Sequence, residues 1–432
     1  MPTTIPTRAE EILSAKCGRE VRAGDIAVCR VDLVLGTDAS APMAIDYFER
    51  MGGTALFDRS RVIFALDHYS PPPTARTAAF HDQVRAFARR YGAEVYDVGE
   101  GISHQVVVER GRVRSGDLVI GADSHTVTCG ALDAFATGVG SSDLAAAMMT
   151  GQIWLRVPAS IRVEITGVRP AGVSAKDIAL ALVGELGADG ASYSALEFCG
   201  AGLPALTLDD RMVLANLSVE AGAKAAIFPV REDTGCRMSI GEGRSGSPTP
   251  GVVSHSRTVT IDLADLSPRI ALPHAPDHVR PLSDAVGTPV QMVFVGTCTG
   301  GRASDFRDCL RAIDAAGGRL APGVQLVITP ASREVLSALL ADGTMGRFEA
   351  MGAIITTPGC GACCGTSGVI PGDGMTVLST ANRNFKARMG NPTASIYLAS
   401  PAACGAAAVA GCIADPSGVR SRDRAVRTED RV

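Results

Sequence analysis

Short apolar runs rich in valine and isoleucine alternate along this chain with longer amphipathic stretches. The runs include Val62–Leu66, Leu118–Gly121, Val290–Gly296, Val324–Thr329 and Ala353–Thr357. Between the runs, Thr74–Tyr91 repeats apolar residues at helical spacing before Gly92, and Ala175–Leu186 does the same before Gly187. Strands that alternate with helices predict an α/β fold built of layers around parallel sheets.

The length of 432 residues indicates about three domains, at roughly 150 residues each. A hydrophobic fraction of 46% against 20% charged residues is typical of a folded chain and excludes a disordered one. One boundary is predicted after Pro158 and another near residue 284, in the proline-containing stretch Leu272–Val286. The predicted α/β domains are therefore 1–158, 159–283 and 284–432. Arg231–Ser256 is predicted to be a loop, and the charged tail after Pro416 is expected to fray.

The charge and the apolar pattern exclude several classes of partner. A net charge of −4 provides no basic field for nucleic acid or a membrane surface. No apolar run approaches the ~18–20 residues of a membrane span, and the start of the chain lacks the apolar segment of a secretory signal. We therefore expect a cytoplasmic protein with reduced cysteines. The cysteines expected to fill the core are Cys17, Cys29, Cys129, Cys199, Cys309, Cys404 and Cys412.

Polar motifs follow several of the predicted strands at the point where each strand ends. These motifs are Asp67-His68, Asp123-Ser124-His125, Cys298, Cys360 and Asn382-Arg383. Ligands of open α/β sheets bind at the carboxyl ends of the strands. Five such ends with reactive residues predict one functional site where the strand ends meet.

The cysteine motifs indicate a metal or redox centre. Cys360 and Cys363 form a C-x-x-C pair in a glycine-rich loop, and Cys298 lies in a second loop of small residues. Thiolates select zinc or iron–sulfur clusters, and a structural zinc usually takes four ligands. The spacing alone leaves an iron–sulfur cluster, zinc and a redox or structural pair open. Cys364 competes with Cys363 as a ligand.

Three histidines, His68, His104 and His125, lie in small or polar surroundings after predicted strands. A neighbouring carboxylate orients an imidazole and raises its pKa, as general acid catalysis requires. Taken singly, each of these histidines is more often expected to have a structural role than a catalytic one. His81, on the predicted exposed face of its helix, and His255, in the predicted loop, are expected to lie outside the site.

Arg383 and Arg388 follow the last of these strands, in the segment ANRNFKARMGN. Two guanidinium groups close in sequence suit two-pronged binding of carboxylates. Because arginine is abundant in this chain, a solvated surface pair is the alternative.

Taken together, the motifs resemble the aconitase superfamily, and within it the large-subunit family of 3-isopropylmalate dehydratase. The resemblance covers nearly the whole chain. It is carried by the segments DHYSPPPTA, GEGISHQVVVERG, GADSHTVTCGALDAFATGVGSSD, NLSVEAGAKA, VGTCTGGR, PGCGACCG and STANRNFKARMGNP. It implies an aconitase-like fold, with three α/β domains around an iron–sulfur cluster and without the swivelling fourth domain.

The resemblance also implies a role for each motif residue. It implies that Cys298, Cys360 and Cys363 hold a [4Fe–4S] cluster in which one iron has no protein ligand. The implied catalytic residues are Asp67 and His68, which protonate the departing hydroxyl, and His104, Asp123, Ser124 and His125 around the iron-bound water. The implied substrate-binding residues are Thr37, Asp38, Asn382, Arg383 and Arg388.

The implied activity is that of the catalytic large subunit of a [4Fe–4S] hydro-lyase. Its expected reaction is the interconversion of 2- and 3-isopropylmalate in leucine biosynthesis. The alternatives are the same chemistry on dimethylmalate, homoaconitate or a specialised-metabolite precursor, and, more remotely, a non-catalytic iron-sensing or metal-stabilised protein. Gly300, Ala362, Cys364 and Thr37 depart from the family's common residues and bear on the choice of diacid.

The family's catalytic base is a serine in the swivelling domain, and we find no matching loop in this sequence. A separate small subunit is therefore expected to supply this serine and to cover the site. The three cluster cysteines are accordingly expected to be solvent-accessible in the isolated chain.

Overall fold

The computed structural model describes residues 3–229 and 251–416. Most of the loop predicted at Arg231–Ser256 lies outside the described residues, as does the predicted tail after Pro416. The described end of that loop contains a short strand, Gly251–Val253, where no regular structure was predicted.

The first part of the chain alternates strands with helices. Its elements are β1 Thr3–Ile5, α1 Arg8–Cys17, β2 Ile26–Arg30, β3 Leu33–Thr37, α2 Ala41–Arg50, β4 Val62–Ala65, α3 Ala75–Tyr91, β5 Glu94–Tyr96, α4 Ser103–Glu109, β6 Leu118–Gly121, β7 Phe135–Gly138, α5 Ser141–Thr150 and β8 Gln152–Arg156.

The middle and last parts continue the alternation. The middle elements are β9 Ser160–Thr166, α6 Ala175–Leu186, β10 Ala195–Cys199, α7 Leu208–Ser218, β11 Ala225–Ile227, β12 Gly251–Val253 and β13 Arg257–Asp262. The last elements are β14 Arg269–Ala271, β15 Val279–Pro281, β16 Met292–Gly296, α8 Ala303–Ala315, β17 Gln325–Thr329, α9 Arg333–Ala341, α10 Thr344–Ala350, β18 Ile354–Ile355, β19 Thr376–Ser379, β20 Ser395–Leu398 and α11 Pro401–Ala410.

The first sheet has five parallel strands in the order β5-β4-β3-β6-β7. Every residue of β3, β4 and β6 is buried, because apolar side chains pack against both faces of the sheet. Since the strands are parallel, their carboxyl ends lie along one edge, and the predicted polar motifs follow directly there.

The second sheet has four parallel strands in the order β11-β10-β9-β13. It packs with α6 and α7 around one apolar core. The α6 helix spans the predicted Ala175–Leu186, because Ser174 and Asp177 form a capping box at its start.

The third sheet has seven strands in the order β15-β14-β20-β19-β16-β17-β18. The pairs from β20 to β18 are parallel, whereas β14 and β15 are antiparallel additions at one edge. The prediction of an α/β fold with parallel sheets is confirmed. The domain boundaries stay a prediction, and we propose from the pairing of β14 that the second one lies before Arg269.

Helix α3 illustrates how local sequence sets these elements. Thr74 caps its first turn, and Gly92 ends it with a left-handed backbone (φ 77°), which glycine adopts without strain. Its apolar side packs with rings from α2, as in the edge-to-face pair of Phe48 and Phe87. None of the helices within residues 3–229 and 251–416 has the length and apolar character needed to cross a membrane.

Candidate active site

The three larger sheets meet where the loops that follow their strands contact one another. The backbone N–H of Cys360, in the third sheet's loops, donates to the carbonyl of Asp67, which follows β4 of the first sheet, at 2.9 Å. Lys176, at the start of α6 beside the second sheet, donates to the carbonyl of Thr380 at 2.8 Å. These contacts bring the predicted motifs of separate sheets to one place.

His68 lies among three carboxylates. Its Nδ1 is 2.9 Å from Oδ1 of Asp67 and 3.6 Å from Oδ1 of Asp38, and its Nε2 is 3.4 Å from Oδ2 of Asp123. Asp67 is itself fixed by the backbone N–H of Ser103. The imidazole is therefore held on the Nδ1 side, while its Nε2 has a longer contact.

The same carboxylates set the protonation of His68. Burial by itself would lower its pKa, but the charge of Asp67 and the hydrogen bond to Asp38 outweigh burial and hold the pKa well above its ordinary value. His68 therefore carries a proton at neutral pH, as a general acid must.

Asp38 is fully buried, and its partners lie within the protein. Oδ1 accepts from the backbone N–H of His68, while Oδ2 accepts from that of Tyr69 and lies 2.9 Å from Nε2 of His81. The prediction that His81 faces solvent outside the site is therefore wrong: it is 1% exposed. It was placed outside the apolar stripe of α3, but Asp38 provides the polar partner that makes its burial tolerable.

Thr37, which was predicted to bind substrate with Asp38, is also buried. Its hydroxyl lies 3.1 Å from that of Ser40, and its backbone N–H points to the same oxygen. Both side chains are at most 1% exposed and have partners within the protein, and their contact with substrate stays a prediction.

A second series of contacts links the Asp123 motif to Arg383. Asp123 Oδ1 accepts from the backbone N–H of His125, and Nε2 of His125 lies 3.1 Å from Oε1 of Glu220. Arg383 donates through Nε to both Glu220 oxygens, at 2.8 and 3.0 Å, and through Nη2 to Oγ of Ser124 at 3.0 Å. Glu220 therefore fixes the imidazole and the guanidinium relative to each other.

Neighbouring charges and hydrogen bonds keep the Asp123 and Glu220 carboxylates ionised. Burial would raise the pKa of Asp123, but the hydrogen bond and charge of His125, with the charge of His68, hold it well below its usual range. Burial likewise opposes ionisation of Glu220, and the hydrogen bond with His125 and the charge of Arg383 lower its pKa. Both groups are acceptors at neutral pH.

Of the three histidines predicted to lie in the site, His104 is the one whose side chain has no hydrogen-bond partner among the described residues. It is 2% exposed, both ring nitrogens lack a partner, and its ring centroid lies 6.4 Å from that of His125. Burial lowers its pKa to about 3, so the ring is neutral at pH 7. A buried imidazole with both nitrogens open is suited to a partner that binds there.

The thiol of Cys298 receives two amide N–H groups. Nδ2 of Asn216 lies 3.1 Å from its sulfur, and Nδ2 of Asn382 lies 3.2 Å from it. Burial raises the pKa of Cys298 to about 12. Such a thiol ionises when a metal replaces its proton, and N–H donors then stabilise the thiolate.

The other two predicted ligands are close together in the chain: Cys363 lies in the 3₁₀ turn Gly361–Cys364, and Cys360 directly precedes that turn. The Cys363 thiol lies 3.4 Å from Nη2 of Arg388 and 3.6 Å from Oδ1 of Asn382. Cys364 contacts the hydroxyl of Thr366 instead. Cys298 and Cys363 are 5% and 4% exposed and Cys360 is partly buried, so the expectation of solvent-accessible thiols is wrong for two of the three.

The spacing of the three sulfurs bears on whether one metal ion could bind between them. In the described part of the chain, the set of three metal-ligating atoms within 4.8 Å of one another is Asp67, His68 and Cys360, and the three thiols form no such set. Sulfurs on one tetrahedral zinc ion, at 2.3 Å from it, lie roughly 4 Å apart. In this arrangement the three thiols therefore do not have the spacing of ligands on one zinc ion.

Gly300, which departs from the motif that the resemblance implies, lies against Thr380. A Cβ atom at residue 300 would be 2.2 Å from both Cβ and Oγ1 of Thr380. The Thr380 hydroxyl is fixed between the N–H and C=O of Gly296. A side chain at residue 300 would therefore displace Thr380, and this explains the small residue.

A cavity of about 550 Å³ opens beside Asp123 and Ser124. Val127, Val139 and Ile153 contribute apolar lining, so the cavity combines polar groups from the site with apolar walls. This volume is sufficient for a small organic acid.

Sequence reasoning missed Asn216 and Glu220 as site residues. Both lie in NLSVEAGAKA, one at the end of α7 and one in the following turn, and both are buried. Two polar residues four positions apart in an apolar segment were the available signal. His255, expected to lie outside the site, contacts Glu197 instead, with Nε2 3.4 Å from Oε2.

Comparisons with known proteins agree with this arrangement. The model of the Aconitase family (aconitate hydratase) matches residues 10–411. The 3-isopropylmalate dehydratase large subunit 1 of Methanopyrus kandleri is 42% identical, over 95% of this chain and 98% of its own length. Large subunit 2 of the same name from Archaeoglobus fulgidus is 43% identical, over 95% and 98%.

The solved structure of holo-form aconitase X from Thermococcus kodakaraensis has a TM-score of 0.51 at 14% identity, covering 87% of this chain and 89% of that one. This likeness concerns the fold alone. Because the family model spans most of the chain and relatives above 40% identity cover nearly all of it, the chain is a hydro-lyase that belongs to the aconitase family.

Proposed function

We propose that this hydro-lyase is the large subunit of a 3-isopropylmalate dehydratase, which removes water from a hydroxy-diacid and adds it back. The observation that carries the proposal is the convergence of three cysteines, a protonated histidine and two arginines at one junction of strand ends. The names of the relatives support isopropylmalate as the diacid and a small subunit as the partner.

Membership of the aconitase family implies an iron–sulfur cluster. We assign its protein ligands to Cys298, Cys360 and Cys363 and propose the [4Fe–4S] type, with one iron lacking a protein ligand. When bound, such a cluster supplies a Lewis acid for the substrate hydroxyl. Asn216 supports this assignment because its amide donates to a ligand sulfur.

His68 is assigned as the acid that protonates the departing hydroxyl. Its Nδ1 side is held by Asp67, so the proton is delivered from Nε2. As the C–O bond breaks, the hydroxyl leaves as water. Asp38 is assigned a positioning role, because it holds the backbone of His68 and Tyr69 in place.

Ser124, His125 and His104 are assigned to binding the water and the hydroxyl in the site. His104 supports this assignment because its neutral ring has both nitrogens free of partners among the described residues. Asp123 and Glu220 orient His125 and keep its ring between two fixed acceptors.

Arg383, Arg388 and Asn382 are assigned to the substrate carboxylates. Nη1 of Arg383 has no acceptor among the described residues, while Nε and Nη2 are fixed, so a planar carboxylate can dock on a guanidinium that is already oriented. Arg388 is partly buried and lies beside Cys363. A carboxylate held between these groups is thereby placed next to the thiols.

These assignments leave the removal of the C–H proton without a base. We propose that a small subunit supplies it, as a serine on a loop that enters the site. The cavity beside Asp123 and Ser124 supports this arrangement, because it provides space next to two of the assigned site residues.

The proposal is tested by anaerobic reconstitution of the chain with iron and sulfide, followed by assays with and without the candidate small subunit. The substrates are 2-isopropylmalate, 2,3-dimethylmalate and homoaconitate. We expect turnover of isopropylmalate by the complex and none by the chain alone. Full turnover by the chain alone would contradict the assigned base, and preference for another diacid would reassign the substrate.

A further inference from the structure

Lys176 is a buried lysine to which the catalytic assignments give no role. It is the second residue of α6 and is 2% exposed. Its Nζ donates to the carbonyls of Thr380 and Ala381, at 2.8 and 2.6 Å, and to the hydroxyl of Thr299 at 3.2 Å. These three acceptors satisfy the three N–H groups of the ammonium.

The acceptors of Lys176 belong to the two loops that carry the Cys298 site. Thr299 follows Cys298 directly, and Ala381 precedes Asn382, whose amide donates to the Cys298 sulfur. The Thr299 hydroxyl also donates to the carbonyl of Thr380, at 2.7 Å. One ammonium from the second sheet's layer therefore ties both loops of the third sheet together.

Lys176 forms no ion pair with a carboxylate among the described residues, and its three contacts are to neutral oxygens. Burying an unpaired charge is costly unless an opposite charge lies nearby. Burial lowers the pKa of Lys176 to about 8, and the largest opposing influence is the charge of Cys298, with that of Cys363 also contributing. The charges of Cys404 and Asp305 also favour the protonated form, so the strongest of these influences, but not all of them, comes from a cysteine of the proposed cluster site.

We propose that Lys176 is a positioning residue for the cluster. Its ammonium holds the Cys298 loop and the Asn382 loop in place relative to each other, and its positive charge offsets the negative charge of the thiolates. This inference rests on the proposed function, because it requires the cluster at Cys298, Cys360 and Cys363. Lys176 does not contact the substrate in this scheme and acts through the two loops.

The test compares Lys176→Gln, which keeps N–H donors without the charge, with Lys176→Met, which removes both. Lys16→Gln is the control, since Lys16 pairs with Asp32 at 2.6 Å, away from the site. After anaerobic reconstitution, three quantities are measured: iron and sulfide content with the rate of iron loss to a chelator, the midpoint potential of the cluster by EPR-monitored titration, and the melting temperature of the cluster-free chain.

We expect both Lys176 variants to lose iron about 10–100-fold faster than the wild type, the usual effect of removing a group behind a metal ligand. Their midpoint potentials are expected to move to more negative values, because a lost positive charge disfavours the added electron. Lys176→Met is expected to lose iron faster than Lys176→Gln. The control is expected to match the wild type in iron loss and potential.

Unchanged iron loss and potential in a loaded Lys176→Gln variant would overturn the inference and leave the proposed function standing. Unfolding of both cluster-free variants, at a temperature where the cluster-free wild type is folded, would also overturn it, because Lys176 would then serve the fold. A wild-type chain that takes up no iron and sulfide would overturn the cluster assignment itself.

Discussion

Nε2 of His81 lies 2.9 Å from Oδ2 of Asp38, so the α3 helix contacts the group that positions His68. Asp38 is 0% exposed and also holds the backbone N–H groups of His68 and Tyr69. Hydrogen bonding by the two histidines lowers the pKa of Asp38 below its ordinary range, although burial opposes this. The position of the proposed acid therefore depends on Asp38 and, through it, on His81.

Replacement of His81 by Phe is expected to reduce stability by about 1–3 kcal/mol, because a buried carboxylate loses a hydrogen-bond partner. We also expect a lower kcat with an unchanged iron content, since the His68 loop is less well fixed. Thermal unfolding and steady-state assays of the complex measure the two effects. His278→Ala, at an exposed histidine, is the control. Wild-type values of both quantities for His81→Phe would refute the positioning role.

Replacement of His68 by Ala is expected to lower kcat by ~10²–10⁴, the usual contribution of a general acid. The cluster is expected to remain, because His68 is not among the assigned ligands. Iron analysis and single-turnover kinetics of the complex separate the two quantities. A cluster-loaded variant with an unchanged kcat would remove His68 from the mechanism.

Replacement of Arg383 by Lys is expected to lower kcat/KM about 10–100-fold. An ammonium lacks the planar fork with which Arg383 contacts Glu220 and Ser124 and binds a carboxylate in two-pronged fashion, and a charged hydrogen bond is worth about 1.5–3 kcal/mol. Arg257→Lys is the matched control, because Arg257 donates to Gly190 on the exposed side of the second sheet. Equal kinetics for the two variants would place the carboxylate site elsewhere.

Replacement of Cys298, Cys360 or Cys363 by Ser is expected to abolish the cluster. Cys364→Ser is expected to retain it, because its thiol contacts Thr366 and lies outside the assigned ligand set. Iron and sulfide analysis with absorbance spectroscopy of anaerobic protein measures this. Loss of the cluster in Cys364→Ser together with its retention in Cys363→Ser would show that Cys364, and not Cys363, is the third ligand.

The strand ends of this site were predictable because each is marked locally. An apolar run that stops at a polar motif gives both the strand and its carboxyl end, as at Val62–Ala65 before Asp67 and at Leu118–Gly121 before Asp123. Parallel pairing then brings such ends to one edge. Helix α3 was predictable for a similar reason, since Thr74 and Gly92 mark its two ends.

The partners that come from distant segments were not predictable from one sequence. His81 is buried because Asp38, 43 residues earlier, arrives beside it, and no local period encodes that approach. Asn216 and Glu220 were missed because their partners are more than 80 residues away, on other sheets. The thiols were expected to be exposed because a partner was expected to cover them, but the chain's own loops already bury Cys298.

Glu197 provides a prediction about stability at a position remote from the site. Its carboxylate accepts from the backbone N–H groups of Arg8 and Ala9 at the start of α1, and from the hydroxyl of Ser160 at 2.7 Å. Burial would raise its pKa, but the hydrogen bonds from His255, Ala9 and Ser160 outweigh burial and lower it. An ionised carboxylate at a helix start is also favoured by the helix dipole.

Because the pKa of Glu197 is lowered in the folded chain, its contribution to stability is present above the pKa of the unfolded carboxyl, near 4.3, and is lost as the pH falls through the folded value. Glu197→Gln is therefore expected to cost about 1–3 kcal/mol at pH 7, and the difference from the wild type is expected to shrink as the pH is lowered below about 5. Hydrogen exchange of the α1 amides, measured at several pH values, reports this locally. A difference that grows in acid would show that the carboxylate is not what holds α1 to the second sheet.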